Sequence, residues 1–257
     1  MKTRQEIKTS AKEAMRGQRG TAILLGLVFG VLALPFFAAV GIVALLPGGI
    51  FVSPLLGWAG LLIVLVLTVN LYGAYVKIYR CEEASVGELF TACKVNFGRK
   101  LGGMLWMVLW LCIWSLIAVP VMGAATGLIV TSGRSTTVLG AFLMGTSIIF
   151  HLPVLIKGLS YSMTTYILAD CPNVGARQAL RISRRMMCGY KRKLIVLVLS
   201  FIGWFLLSSL TFGILYIFYV GPYYYTTLAG FFTEVRERAV ADGVVTREEF
   251  GMGVEGC

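Results

Sequence analysis

Charge is scarce in this chain, and where it is missing matters more than how much is missing. Only 14% of the 257 residues are Asp, Glu, Lys or Arg, against about a quarter in a typical soluble domain. No Asp or Glu falls inside any of the long apolar runs. The first shortage excludes an ordinary water-soluble domain. The second argues against proton- or cation-coupled transport, which generally relies on carboxylates within the membrane as relays or ligands. With a single histidine, His151, no second imidazole exists to complete a metal site. The six cysteines (Cys81, Cys93, Cys112, Cys171, Cys188 and Cys257) form no C-x-x-C pair or regular framework and read as free thiols. Catalytic signatures are absent too: there is no H-E-x-x-H, G-x-S-x-G, Walker loop or dinucleotide fingerprint. No hydrophilic segment is long enough for a catalytic domain, so neither an enzyme nor a cofactor is expected.

Apolar residues, by contrast, make up 58% of the chain. A hydrocarbon core about 30 Å thick takes roughly 20 residues of helix, and six runs meet that length: 21–46, 54–76, 101–130, 137–168, 194–210 and 214–233. The basic N-terminus followed by apolar sequence has the outline of a signal peptide. The run from Thr21 to Leu46 is too long for an h-region and lacks an A-x-A exit, so it stays as a span. Pro35, Pro120, Pro153 and Pro222 lie inside runs and predict kinks. The "LTFG" at Leu210–Gly213 predicts the turn between the last two spans.

The net charge of +11 would suit nucleic acid in a soluble protein, but here its distribution reports topology. Lysines and arginines crowd the segments before spans one, three and five and recur in the tail. Only Arg134 lies in an opposite-side loop, and only Lys157 within a span. The positive-inside rule then places both termini in the cytoplasm. Nucleic acid is not an expected partner.

Three basic segments, 3–16, 85–97 and 174–188, read as amphipathic helices lying on the inner leaflet. Val86, Leu89, Phe90, Cys93 and Phe97 follow an i, i+3, i+4, i+7, i+11 stripe, and Ala176, Ala179, Leu180, Ser183 and Met187 repeat those offsets. Ser85 with Glu88 predicts a capping box, while Asp170, Pro172 and Asn173 predict a turn and an N-cap. Gly17, Gly98 and Gly189 each precede bases and then an apolar run, and are expected to stop the surface helices. The expected architecture is all-α and integral to the membrane. Residues 1–233 form one polytopic domain of three hairpins, each preceded by an interfacial helix, as an internal parallel repeat. The acidic tail, 234–257, is expected to fray and be partly disordered.

The stretches "ILADCPNVGARQALRISRRMMCGYKRKLIVLVLSFIGW" and "GPYYYTTLAGFF" resemble signatures of the bacterial integral-membrane proteins grouped as Domain of Unknown Function family 975. The opening "RQEIKTSAKEAMRGQRG" and the order of spans agree with that resemblance over most of the chain. Cys171 stands where the family pattern implies Asn. The resemblance implies architecture but no activity, cofactor or catalytic residue.

Candidate sites follow from the polar residues in apolar surroundings. Arg177, Arg181, Arg184 and Arg185 form a basic stripe at i, i+4, i+7, i+8, with Lys191 beyond it. Each such charge near an anionic leaflet contributes about 1 kcal/mol. The stripe therefore either fixes topology or binds a lipid head group or a phosphorylated ligand. Lys157 either contacts an anion in a cavity or snorkels to the interface. His151 and Asn70 are packing residues or pocket lining. Tyr223, Tyr224 and Tyr225 need partners for hydroxyls placed within a span, or line a wet pocket. The glycine pairs Gly26/Gly30 and Gly123/Gly127 predict close helix contacts. The leading expectation is a non-enzymatic membrane protein engaging anionic lipid, a membrane partner or its own copies. A transporter or channel for a small or amphipathic solute is the alternative, and a membrane-embedded enzyme comes third.

Overall fold

The computed structural model describes residues 2–44, 49–90, 96–115 and 151–251, together with the single positions 123, 127 and 145. Among the described residues there are helices and no strands. In chain order they are α1 (Arg4–Ala14), α2 (Arg19–Ala44), α3 (Gly49–Tyr79) and α4 (Phe97–Ser115). These are followed by α5 (151–161), α6 (Thr164–Asp170), α7 (Ala176–Met186), α8 (Lys191–Leu199) and α9 (Ile202–Leu210). A π turn at Tyr216–Val220 leads into α10 (Gly221–Ala241), and a short 3-10 turn (Glu248–Phe250) follows. Among the described residues, three stretches are long and apolar enough to cross a membrane: Arg19–Val43, Gly60–Tyr79 and Lys191–Leu210. Apart from positions 123, 127 and 145, the third expected span beyond Ser115 and the beginning of the fourth lie outside the described residues.

The long helix α3 organises the bundle. Its 31 residues extend about 46 Å at 1.5 Å per residue, further than a hydrocarbon core, so its last turns reach the charged end of the molecule. It packs on α2, α10, α6, α4 and α1. Gly230 permits its close approach to α10. A Cβ at Gly230 would stand 2.4 Å from Cε2 of Tyr79, so any side chain there would displace the ring. Of the expected glycine pairs, Gly26 meets α3 more loosely: a Cβ there would stand 3.5 Å from Tyr75 Oη, and no described atom lies within 4 Å of one at Gly30. The surroundings of Gly123 and Gly127 lie outside the described residues. Glycine pairs recur in any apolar helix, and only the neighbouring element decides which of them is crowded.

Three expectations about helix ends are corrected. Of Gly17, Gly98 and Gly189, only Gly189 adopts a positive φ, 86°. In the second basic segment Asn96 takes the left-handed conformation (φ 54°), and Gly98 already lies inside α4. Asn tolerates that conformation through its short polar side chain. The N-cap of α7 is Gly175, with no side-chain bond, because Asp170 is engaged elsewhere. The full capping box is on α1: Glu6 N–H donates to Thr3 Oγ1, and Thr3 N–H donates to Glu6 Oε2. Its T-x-x-E signature was present in the sequence.

Pro222 is accommodated by the π turn. Gly221 N–H donates to Tyr216 O, five residues back, and the proline ring then enters at the first turn of α10, where no N–H is needed. The tail does not fray at Glu234. α10 runs on to Ala241, the chain reverses at Gly243 (φ 66°), and Val245 and Phe250 are buried. Gln178 and Asn173 donate to the Glu249 and Gly251 carbonyls. Two apolar side chains suffice to dock a segment that composition alone describes as acidic and polar.

Candidate functional site

Helix α7 has the strongest segregation of apolar and charged faces. Ala179, Leu180, Ile182, Ser183 and Met186 are buried, whereas Arg177, Arg181 and Arg184 are exposed. Its apolar face packs on α4, α6 and α10 and is therefore covered by protein. The expectation that this face sinks into the headgroup boundary is corrected. The same holds for α1, which buries Ile7 and Ala11 against α10 and α3. An amphipathic pattern demands an apolar partner, and bundle and lipid meet that demand equally well. In the second segment, of which 91–95 lie outside the described residues, Leu89 is buried while Phe90 and Phe97 are exposed.

The arginines of the α7 stripe separate into different roles. Arg177 stacks on Trp106 at 4.7 Å. Arg185 donates to Glu249 through both Nη atoms, at 3.0 and 2.5 Å, and holds that carboxyl below the usual carboxylate range. Arg184 and Arg185 then meet lysines from two other helices. With Lys157 of α5 and Lys191 of α8 they line a surface hollow of about 470 Å³, shared with Ile156, Ser160, Cys188 and Val244. The helix carrying Lys157 breaks at 162–163, which brings this lysine beside the charged end, and its Nζ also lies 4.8 Å from the Trp114 ring. Ile156 lines the hollow, and the helices that carry the two lysines expose further apolar side chains, Leu152 and Leu155 on α5 and Ile195 and Leu199 on α8.

A second charged region was not legible in advance. Lys100, counted in the sequence only as a flanking charge, is 7% exposed and donates to Asn70 Oδ1 at 2.7 Å. Asn70 is oriented by its own Nδ2, which donates to Leu89 O. Arg99 donates to the carbonyls of Leu168, Cys171 and Val174, closing the C-terminal end of α6, where helix carbonyls lack internal partners. Arg80 and Arg236 both hold Asp170. Lys77 pairs with Glu88 at 2.9 Å, and Ser85 Oγ accepts Gly87 N–H. Asn70, Lys77, Arg80, Arg99 and Lys100 line a cleft of about 420 Å³ with Glu82, Glu88 and Asp170.

A protein family of unknown function, DUF975, matches residues 1–239, nearly the whole chain. The chain belongs to the DUF975 family. No curated protein and no solved structure matches it.

Within this DUF975 chain the expected pocket residues do not form one site. Tyr225 lines a cavity of about 260 Å³ with Tyr75, Tyr216, Gly26, Gly30 and Pro222. Its hydroxyl lies 3.2 Å from that of Tyr216, and Tyr75 donates to Ala22 O. Tyr223 and Tyr224 pack instead on Phe201, and Tyr224 also on Phe205. Asn70 belongs to the lysine cleft, and His151 lines neither region. Among the described residues no group of His, Cys, Asp and Glu could hold a metal.

Proposed function

We propose that this protein is a non-enzymatic component of the bacterial cytoplasmic membrane, with six spans and cytoplasmic termini, that binds anionic phospholipid of the inner leaflet. The observation that carries this reading is the convergence of Lys157, Arg184, Arg185 and Lys191 on one open hollow. A head-group phosphate seated there would meet several cations, while its acyl chains would run along the exposed faces of α5 and α8. Arg185 is shared with Glu249, so Lys157, Arg184 and Lys191 carry the contact. The three-unit repeat, contact with a membrane partner and self-association belong to the same reading.

The test is native mass spectrometry of the detergent-purified protein at low salt. Wild type should retain phosphatidylglycerol or cardiolipin. The Arg184→Gln/Lys191→Gln variant should lose it, and Arg177→Gln should keep it. Wild-type protein free of anionic lipid would sink the reading. A second reading, passage of a small amphipathic solute, draws on the tyrosine-lined cavity between α2 and the π turn. It calls for liposome flux sensitive to Tyr216→Phe or Tyr225→Phe.

A further inference from the structure

We propose that Glu249 is a built-in competitor at the lipid hollow: its carboxylate occupies the Arg185 guanidinium in the place that a head-group phosphate would take. The inference rests on the lipid reading above and adds regulation to it. Arg185 lines the hollow and donates to Glu249 through both Nη atoms, at 3.0 and 2.5 Å. A guanidinium grips a phosphate through the same two-pronged edge that grips a carboxylate. Its other two-pronged edge passes through Nε, which is buried. While the tail is docked, a phosphate therefore meets Lys157, Arg184 and Lys191 without the second guanidinium of the hollow.

The competitor is held in position by its own segment. Thr246 N–H donates to Glu249 Oε2 at 3.0 Å, and Glu249 N–H donates to Thr246 Oγ1 at 3.2 Å, a reciprocal cap on the short 3-10 turn. Val245 and Phe250 are buried on either side of the carboxylate, and Gln178 of α7 donates to the Glu249 carbonyl. Val244, at the root of the docked tail, itself lines the hollow. A tethered carboxylate acts at high effective concentration, so even a weak pair competes. Both side chains remain about a third exposed, which lets a phosphate exchange for the carboxylate and limits the effect to a few-fold. Binding and blocking are reciprocal: the factor by which Glu249 lowers lipid affinity is the factor by which lipid weakens the Arg185 contact.

The experiment titrates short-chain phosphatidylglycerol into the delipidated, detergent-purified full chain at constant ionic strength, with phosphatidylcholine as the zwitterionic control. Glu249→Gln should raise phosphatidylglycerol affinity about twofold to fivefold and leave phosphatidylcholine unaffected. A misfolded variant does not produce that gain. Glu248→Gln removes the same charge from the neighbouring, exposed position and should stay near wild type. In an Arg185→Gln background, Glu249→Gln should add nothing, because the contact it relieves is already gone. The proposal is overturned if Glu249→Gln binds no tighter, if Glu248→Gln gains as much, or if the gain persists without Arg185. Wild type that does not prefer phosphatidylglycerol, or an Arg184→Gln/Lys191→Gln variant that keeps the preference, overturns the lipid reading and the competitor with it. A preference that the hollow variant loses, with Glu249→Gln indistinguishable from wild type, overturns the competitor alone.

Discussion

Arg80 donates to both carboxylate oxygens of Asp170 across 90 positions of sequence, at 2.7 and 2.9 Å. Arg236 closes the group from a third helix. The Asp170 side chain is 11% exposed, so losing its charge would leave two arginines poorly compensated in a half-dry place. Breaking a buried pair from one side costs about 3 to 5 kcal/mol. Allowing for the residual exposure of the arginines, Asp170→Asn should cost about 2 to 3 kcal/mol. Chemical unfolding in mild detergent measures this, and a change below about 0.5 kcal/mol would show that the triangle is decorative.

Gly230→Ala places a methyl group against the Tyr79 ring. Overpacking of this kind costs about 1 to 3 kcal/mol. Its melting temperature should fall, and Gly230→Ala/Tyr79→Leu should recover part of the loss, because the smaller side chain vacates the space. An unchanged melting temperature in the single variant would mean that α3 and α10 are not so closely apposed.

The contact between Arg185 and Glu249 makes docking of the tail dependent on pH. The arginine depresses the folded-state pKa of Glu249, so the stabilisation is complete above the unfolded value. It fades as pH falls through the lower, folded value. Both side chains are about a third exposed, which limits the contribution to about 1 kcal/mol or less. Protection factors at 245–250, each taken relative to the intrinsic exchange rate at the same pH, should therefore be highest at neutral pH and fall below about pH 4. Glu249→Gln should already show the lower protection at neutral pH, and equal protection in the two proteins would rule the contact out as an anchor.

Thiol chemistry tests orientation. Cys81, Cys112 and Cys188 are exposed, whereas Cys171 is buried. Burial, helped by the charge of Asp170, pushes the Cys171 thiol up to about 11, leaving almost no thiolate at neutral pH. In permeabilised cells a maleimide should label Cys188 rapidly and Cys171 scarcely at all. In intact cells an impermeant reagent should leave both Cys81 and Cys188 unmodified. Labelling of Cys188 from outside would reverse the proposed topology.

The sequence disclosed the helices but not what covers them. Hydropathy marked α2, α3 and the α8–α9 stretch because bulk apolarity is a local property. Helical periodicity marked α7 for the same reason. It could not say whether Leu180 and Met186 face lipid or α4, since both surroundings are apolar. The basic stripe was visible, and so was Lys157, but their meeting depends on the break at 162–163. Lys100 was hidden for the opposite reason: set between bases and an apolar run, it has the pattern of a flanking charge. Only the length of α3, which carries Asn70 to the same level, turns it into a buried group. Asp170 was taken for a turn residue because its partners lie 90 and 66 positions away.

The π turn at Tyr216–Val220 holds one residue more than an α-helical turn would, and that residue sets a phase. Removing it would rotate everything beyond by about 100°. Gly230 would leave Tyr79, Arg236 would leave Asp170, and the reversal at Gly243 would direct the tail away from α7. One surplus position near the start of the last apolar run thus keeps two ends of a helix in step, the tyrosine wall on one side and the charged lattice on the other.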